Sequence, residues 1–283
     1  MKIALCNEMY ARWSIENQFE AFAAWGYDGA ELAPFSLDPS FVDGSSSVMS
    51  LARVDASIRR RIVASAASTG VAVSGLHWIL AKTTGFHITT DDVETRRATA
   101  RYLGELAEFC AELGGTYMVL GSPGQRNVGD AQLYSLAVEN AVEVVSSVLP
   151  TLEKTGVVLA LESLAPTETN FWTTAAETLD FMEKLGAPKN VALHLDCKAI
   201  CGGEKGTVPE TIRDASKRTK LVTFHANDPN LLGPGFGELD FKPILEALKD
   251  VEFDGWIGVE PFVYEPGVVK LGRESARYLR TWL

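Results

Sequence analysis

The sequence predicts one α/β domain spanning residues 1–283, folded as a single (β/α)8 TIM barrel, and three observations carry that expectation. Eight short runs rich in Val, Leu and Ile alternate with eight helical patterns along the chain. These runs are apolar on both faces, as buried parallel strands are. The segment after the first strand, CNEMYARWS, is not the Gly-rich phosphate loop that a doubly wound open sheet would usually carry there. A repeat of roughly 30 to 40 residues per unit is also what a closed barrel of this length needs.

Taken in order, Lys2 to Leu5 is the first strand, and Ser14, with Glu16 and Asn17 behind it, caps a helix through Trp25 that stops at Gly26. Gly29 to Leu32 is the second strand and carries Glu31. A loop rich in Ser, Pro and Asp, Pro34 to Ser50, leads to a helix from Asp55 to Thr69 ended by Gly70. Val71 to Leu76 is the third strand, with His77 and Trp78 at its end. After a loop over 79–90, Asp91 starts a long helix through Leu113, closed by Gly114 and Gly115. Thr116 to Leu120 is the fourth strand, followed by the loop GSPGQRNVGD. A helix over Ala131 to Lys154 is expected to break at Pro150 or soon after it. Gly156 then resets the chain for the fifth strand, Val157 to Leu161. Thr173 and Thr174 cap a helix to Leu185, Val191 to Leu195 is the sixth strand, and a helix near Pro209 to Lys217 leads to the seventh, Leu221 to Phe224. A helix over Phe241 to Leu248, an eighth strand over Trp256 to Val259 and a helix over Val268 to Trp282 complete the pattern.

Hydrophobic residues make up 46% and charged residues 22%, ordinary for a soluble chain with a large core. The formal net charge is −11, from 26 Lys/Arg against 37 Asp/Glu, which opposes nucleic acid as a partner. The block Arg59-Arg60-Arg61 falls on a helix, where a solvated face accounts for it. Cys6, Cys110, Cys197 and Cys201 are too few and too scattered for a disulfide framework and read as reduced thiols. The amino terminus turns polar at Asn7 and Glu8, and no run approaches the roughly 18 apolar residues a membrane helix needs. A cytoplasmic protein without a membrane partner is expected.

The chemistry is expected at the strand ends. Glu162, Asp196, His225 and Glu260 each stand one residue beyond the fifth to eighth strands. In a barrel of this kind such residues share one mouth. A strand-end acid often serves only to cap the next helix, but four in register on consecutive strands favour convergence on one divalent ion. Three carboxylates and an imidazole are a hard, oxygen-rich set, suited to Mn²⁺ first, with Mg²⁺, Co²⁺ or Zn²⁺ as other possibilities. Such an ion stabilises an enediolate as a Lewis acid, and a glutamate beside it moves a proton at the carbon next to the carbonyl. His77 and Glu31 end the third and second strands on the opposite wall. His77 either contacts substrate as an acid/base or makes a structural hydrogen bond. His194, on the strand of Asp196, is expected to face away from it and to be structural, and His87 carries no signal. Trp13, Trp78, Phe86, Trp172, Phe236 and Phe262 fall in or beside the loops of the mouth, where aromatic faces suit a sugar ring. Trp13, Trp78 and Phe262, with Arg126, Lys198 and Asn227, are the candidate contacts to a small-molecule carbohydrate, and Asn170 is a further polar candidate.

The motifs LALESL (Leu159 to Leu164), LHLDCK (Leu193 to Lys198), TFHAND (Thr223 to Asp228) and GVEPF (Gly258 to Phe262) resemble the motif set of the xylose-isomerase-like barrel superfamily. The likeness covers essentially the whole chain and is nearest to sugar isomerase/epimerase branches such as tagatose/psicose 3-epimerases and hydroxypyruvate isomerases. It implies that Glu162 and Glu260 are both metal ligands and the proton-transfer pair on opposite faces of the substrate carbon, with Asp196 and His225 as pure ligands. A homodimer or homotetramer is implied by the resemblance only. Two positions depart from the epimerase pattern: Ala199 stands where a histidine is usual, and Leu231 where an arginine is usual. The stretch HANDPNLLGPGFG looks more like members described only as sugar phosphate isomerases/epimerases, and nothing in it is a clear phosphate clamp. The apurinic-site endonuclease branch carries extra histidines and an Asp-x-His after the seventh strand, where this chain has Pro229, Asn230 and Leu231. The expected function is therefore a metal-dependent isomerase or epimerase of a small sugar or keto-sugar. The alternative is a metal-dependent lyase or dehydratase on an oxidised sugar, a keto-inositol or 3-keto-glycoside, which the missing histidine favours. A non-catalytic sugar-binding barrel is the reading outside enzymes.

Overall fold

The computed structural model describes residues 1–283. Its strands are β1 (Lys2–Cys6), β2 (Gly29–Leu32), β3 (Ala72–Leu76), β4 (Tyr117–Leu120), β5 (Val158–Glu162), β6 (Val191–Asp196), β7 (Thr223–Ala226) and β8 (Trp256–Val259). All pair in parallel in sequence order, and β8 returns to β1 to close the barrel. The helices are α1 (Ile15–Ala24), α2 (Pro39–Val42), α3 (Ala56–Thr69), α4 (Val93–Glu112), α5 (Tyr134–Thr155), α6 (Ala175–Lys184), α7 (Cys197–Gly203), α8 (Val208–Ser216), α9 (Phe241–Asp250) and α10 (Val268–Arg280). One apolar core runs between the strands and the surrounding helices, from Leu5 and Phe22 through Leu159 and Leu193 to Ile257 and Leu279. No helix is long and apolar enough to cross a membrane.

Local rules set most of the boundaries. Ser14, Asp55 and Thr174 accept hydrogen bonds from backbone N–H groups of the first turns of α1, α3 and α6, as N-caps do. Gly70 and Gly156 end α3 and α5 in the left-handed conformation, at φ 76° and 75°.

Four expectations are corrected. α5 does not break at Pro150 but continues to Thr155. Pro150 and Ser146, whose carbonyl loses its partner, are both exposed, while Val144, Val145, Val148 and Leu152 stay buried. Water can therefore satisfy the freed carbonyl while packing holds the helix. The long helix before it is capped by Asp92 rather than by Asp91. α7 follows β6 directly and was not anticipated, because Asp196, read as a ligand, also caps it. Strand β7 begins at Thr223 and runs to Ala226, so His225 lies inside the strand instead of beyond it. It pairs with Asp196 on one side and Gly258 on the other. Glu162 and Asp196 are likewise the last residues of their strands, and Glu260 alone stands past its own.

Candidate active site

Alternate residues of a strand face the same side. The barrel's upper interior is therefore built from Cys6, Glu31, Glu162, His194, Asp196 and His225, with Glu260 just above β8. Register confirms the layer: Cys6 pairs with Glu31, Glu162 with His194, and Asp196 with His225. All are buried.

His194 corrects its expected orientation. It is two positions before Asp196, so the period of the strand turns both inward. Its ring stands edge-on to His225 at 4.2 Å between centroids, and its Nε2 is 3.9 Å from Glu162 Oε1. Neither of its nitrogens has a hydrogen-bond partner. Burial, then His225 and His77, hold it well below the usual imidazole range, so it is neutral.

His225 is held between two acids. Its Nε2 lies 3.0 Å from Glu31 Oε1, and Glu31 Oε2 accepts from the Tyr117 hydroxyl at 2.7 Å. Its Nδ1 is 2.9 Å from Glu260 Oε2, an ion-pair distance, yet the two are not aligned as a hydrogen bond. Burial disfavours the imidazolium, but Glu260 and Glu31 outweigh it and His225 is raised well above its ordinary value. Gly258, its partner on β8, leaves room for this packing, since a Cβ there would come within 2.5 Å of Glu31 and 2.8 Å of the imidazole.

The two glutamates at the cavity floor are pushed in opposite directions. Glu162 is pushed well above the usual carboxylate range by burial, then by Asp196 and Glu260. Glu260 is equally buried, but the charge of the adjacent His225, followed by His77 and the Trp78 indole N–H, brings it below that range. The indole donates to Glu260 Oε1 at 2.6 Å. Trp78 has φ 50°, held by that bond and by its stacking on Phe262 with centroids 6.1 Å apart. Gly121 is obligatory for the other acid, because a Cβ there would fall 1.5 Å from Glu162 Oε2.

Asp196 is turned aside. Its Oδ1 accepts from the Ala199 N–H at 2.7 Å and its Oδ2 from the Asn227 amide. Burial and Glu260 still raise it to about 6. Oxygen and nitrogen atoms of Glu162, His194 and His225 lie within 4.8 Å of one another, as do ligand atoms of Cys6, His225 and Glu260. His225 thus links both carboxylates, and its Nδ1 and both His194 nitrogens have no hydrogen-bond partner. A divalent cation fits this donor set, since it would relieve the repulsion among three buried acids.

The cavity above this floor has a volume of about 470 Å³, within the range of small-molecule sites. Glu162, Glu260, Trp78, Lys198, Glu168 and Phe262 line it. The Lys198 ammonium pairs with Glu168 at 2.6 Å and sits 4.3 Å over the Phe262 ring.

Other expected contacts do not face it. Trp13 packs against Tyr10 and Trp25 and lines a separate surface hollow. Arg126 is buried, donates to the Glu162 carbonyl at 2.6 Å and stacks over Trp172, itself buried. Asn227 supports Asp196 and accepts from the Lys198 N–H at 2.8 Å. His77 is bonded to Glu8 at 2.9 Å. Phe86 stacks on Tyr102, Phe236 does not line the cavity, and Asn170 bonds the Val128 backbone. Glu168, Glu8 and Tyr117 were missed; none sits in a pattern distinct from an ordinary loop or strand residue.

The sequence profile of the family described as "Xylose isomerase-like TIM barrel" matches residues 19–282. The D-psicose 3-epimerase of Enterocloster bolteae is 32% identical over 129 residues, 46% of this chain and 42% of that one. A ketose 3-epimerase of Arthrobacter globiformis is 25% identical over 197 residues, 69% of this chain and 66% of that one. The chain therefore spans less than two thirds of the length of either relative. The crystal structure of a 3-keto-D-glucoside 4-epimerase from E. coli superposes with a TM-score of 0.82 at 19% identity, covering 99% of both chains, which speaks for the fold.

Proposed function

We propose that this chain, which belongs to the xylose isomerase-like TIM barrel family, is a divalent-metal-dependent epimerase or isomerase of a small sugar or keto-sugar. The observation that carries the proposal is the pair of glutamates, Glu162 and Glu260, buried at the floor of one cavity with His225 within reach of both; two carboxylates beside one reacting carbon can remove a proton and return one. The ketose 3-epimerases among its relatives support the same reading.

Glu162, Asp196, His225 and Glu260 would hold one divalent ion, Mn²⁺ being favoured by the three carboxylates and single imidazole. Bound there, the ion supplies Lewis-acid stabilisation of negative charge on neighbouring substrate oxygens. Glu260 takes the proton from the carbon next to the substrate carbonyl, its Oε1 oriented by the Trp78 N–H. Glu162, protonated at the start of the turnover, returns one to the carbon. The ring lies against Trp78, with Lys198 and Glu168 meeting its hydroxyls. Trp13 has no part in this reading, and Arg126, Asn227 and His77 act from behind the floor. Four unpaired cysteines, three of them buried, support a reducing, cytoplasmic setting.

Proton NMR in D₂O tests the proposal with Mn²⁺-loaded protein and a panel of ketoses, inososes and 3-keto-glycosides. Deuterium should enter the carbon next to the carbonyl with wild type, and E260Q should exchange at least 10²-fold more slowly. The product identifies epimer, aldose or eliminated sugar. Absence of exchange with every sugar would overturn the assignment.

A further inference from the structure

The cavity is divided between an ionic floor and an apolar outer wall. At the floor stand Glu162 and Glu260; toward the mouth stand Leu164, Leu231 and Phe262. Leu231 is the unusual member. It is 37% exposed and has φ 71°, a conformation a leucine rarely adopts. Its backbone is fixed there: its carbonyl accepts from the Phe262 and Val263 N–H groups at 2.8 and 3.0 Å, and its N–H donates to the Asp228 carbonyl at 2.8 Å. The loop thus presents an apolar side chain to the cavity beside Phe262 at some conformational cost and leaves it partly exposed.

Two further observations narrow what fills this end. At the packing density of organic solids a six-carbon sugar of twelve heavy atoms needs on the order of 240 Å³, so it leaves a large part of about 470 Å³ empty. Charge disfavours a phosphate in the remainder. The lining carries two cations, Lys82 and Lys198, against three carboxylates, Glu162, Glu168 and Glu260, and Lys198 is tied to Glu168 and Phe262.

We infer that the cavity takes an uncharged sugar bearing an apolar substituent, an alkyl or aryl glycoside, with the substituent against Leu231 and Phe262. The inference rests on reading the cavity as the sugar site, so it is tested by binding, which does not require turnover. Isothermal titration of the Mn²⁺-loaded protein would compare phenyl 3-keto-β-glucoside, 3-keto-glucose and 3-keto-glucose 6-phosphate. The phenyl glycoside should bind roughly 10- to 100-fold more tightly than the free sugar, the discrimination a filled apolar pocket supplies, and the phosphate should bind most weakly. L231N, which tolerates the positive φ, should bring the phenyl-to-free ratio down toward one. Equal affinities, a preference for the phosphate, a ratio that L231N leaves unmoved, or no binding of any of the three would each overturn the inference. Deuterium exchange on the same samples judges the chemistry separately: tight phenyl-selective binding without exchange would sink the epimerase and leave the cavity assignment standing.

Discussion

His225 can present only one nitrogen to the floor, and the side chain that decides which is Glu31. The contact of Nε2 with Glu31, itself anchored by Tyr117, directs Nδ1 at Glu260. Carboxylates behind a ligating imidazole typically change metal affinity 10- to 100-fold. E31A should therefore weaken Mn²⁺ binding by about that factor, read from the EPR signal of free Mn²⁺, while E31Q, which can still accept a hydrogen bond, should recover part of it. Equal affinity in all three proteins would contradict this role. Trp78 acts on Glu260. Its N–H stabilises the ionised form of Glu260, so removing it raises that carboxyl's pKa. In W78F the acid limb of the kcat/KM profile should move to higher pH and the rate at its plateau should fall roughly tenfold, the value of one hydrogen bond to a charged group. An unmoved limb would show that the indole only stacks.

Among the elements, the segment between β2 and α3 shows how one buried acid organises a loop. Asp38 accepts from the N–H groups of Ser40 and Ser50 at 3.1 and 2.8 Å and from Arg53 Nε at 2.9 Å. Burial alone would raise Asp38, but the Arg53 hydrogen bond and the Ser50 N–H hold it below its ordinary value. A carboxyl depressed in the folded state contributes stability that is present above its unfolded pKa and lost as pH falls through the folded one. D38N should therefore flatten the acid side of the stability curve, and at neutral pH should cost about 2 kcal/mol, the scale of a broken buried network whose Arg53 partner is partly solvated. For a chain of this size that is a Tm lower by roughly 3–4 °C. The same scale explains what was readable beforehand. Caps at Ser14, Asp55 and Thr174 are chemistry confined to three residues, so the helix starts were visible. Strand ends are not local: whether β7 stops before or after His225 depends on its pairing with Asp196 and Gly258, residues 29 and 33 positions away by number. Pro150 is a breaker by local rule and tolerated only because its turn of α5 faces solvent, a fact the helix alone does not contain.

Across the whole molecule, eight repeats were enough to read the closed barrel, because each strand's two-sided apolarity reports burial that only closure with outer helices provides. The convergence of Glu162, Asp196, His225 and Glu260 on one mouth followed from that topology. Their supporting contacts did not: Glu31 was placed on the opposite wall but not against His225, Glu8 and Tyr117 come from segments distant in sequence, and period-2 counting along β6 was the one clue that would have placed His194. This polar interior has a consequence for stability. Glu162, Asp196 and Glu260 are buried within reach of one another's charge, and without an ion the fold must hold them by raising two and leaning on His225. A ligand that binds only the folded state stabilises by RT ln(1 + [L]/Kd), about 2.7 kcal/mol at a hundredfold excess over Kd. Mn²⁺ at that excess should raise Tm by roughly 4–5 °C, and EDTA should reverse it. In E162Q the repulsion is gone together with a ligand, so its metal-free form should melt at or above metal-free wild type while the Mn²⁺ shift shrinks, the usual opposition between a functional site and stability. A thermal melt of both proteins with and without Mn²⁺ reads all four values. If metal-free E162Q melts well below metal-free wild type, the acids are held by their hydrogen bonds rather than strained by their charges, and the site is built for stability instead of an ion.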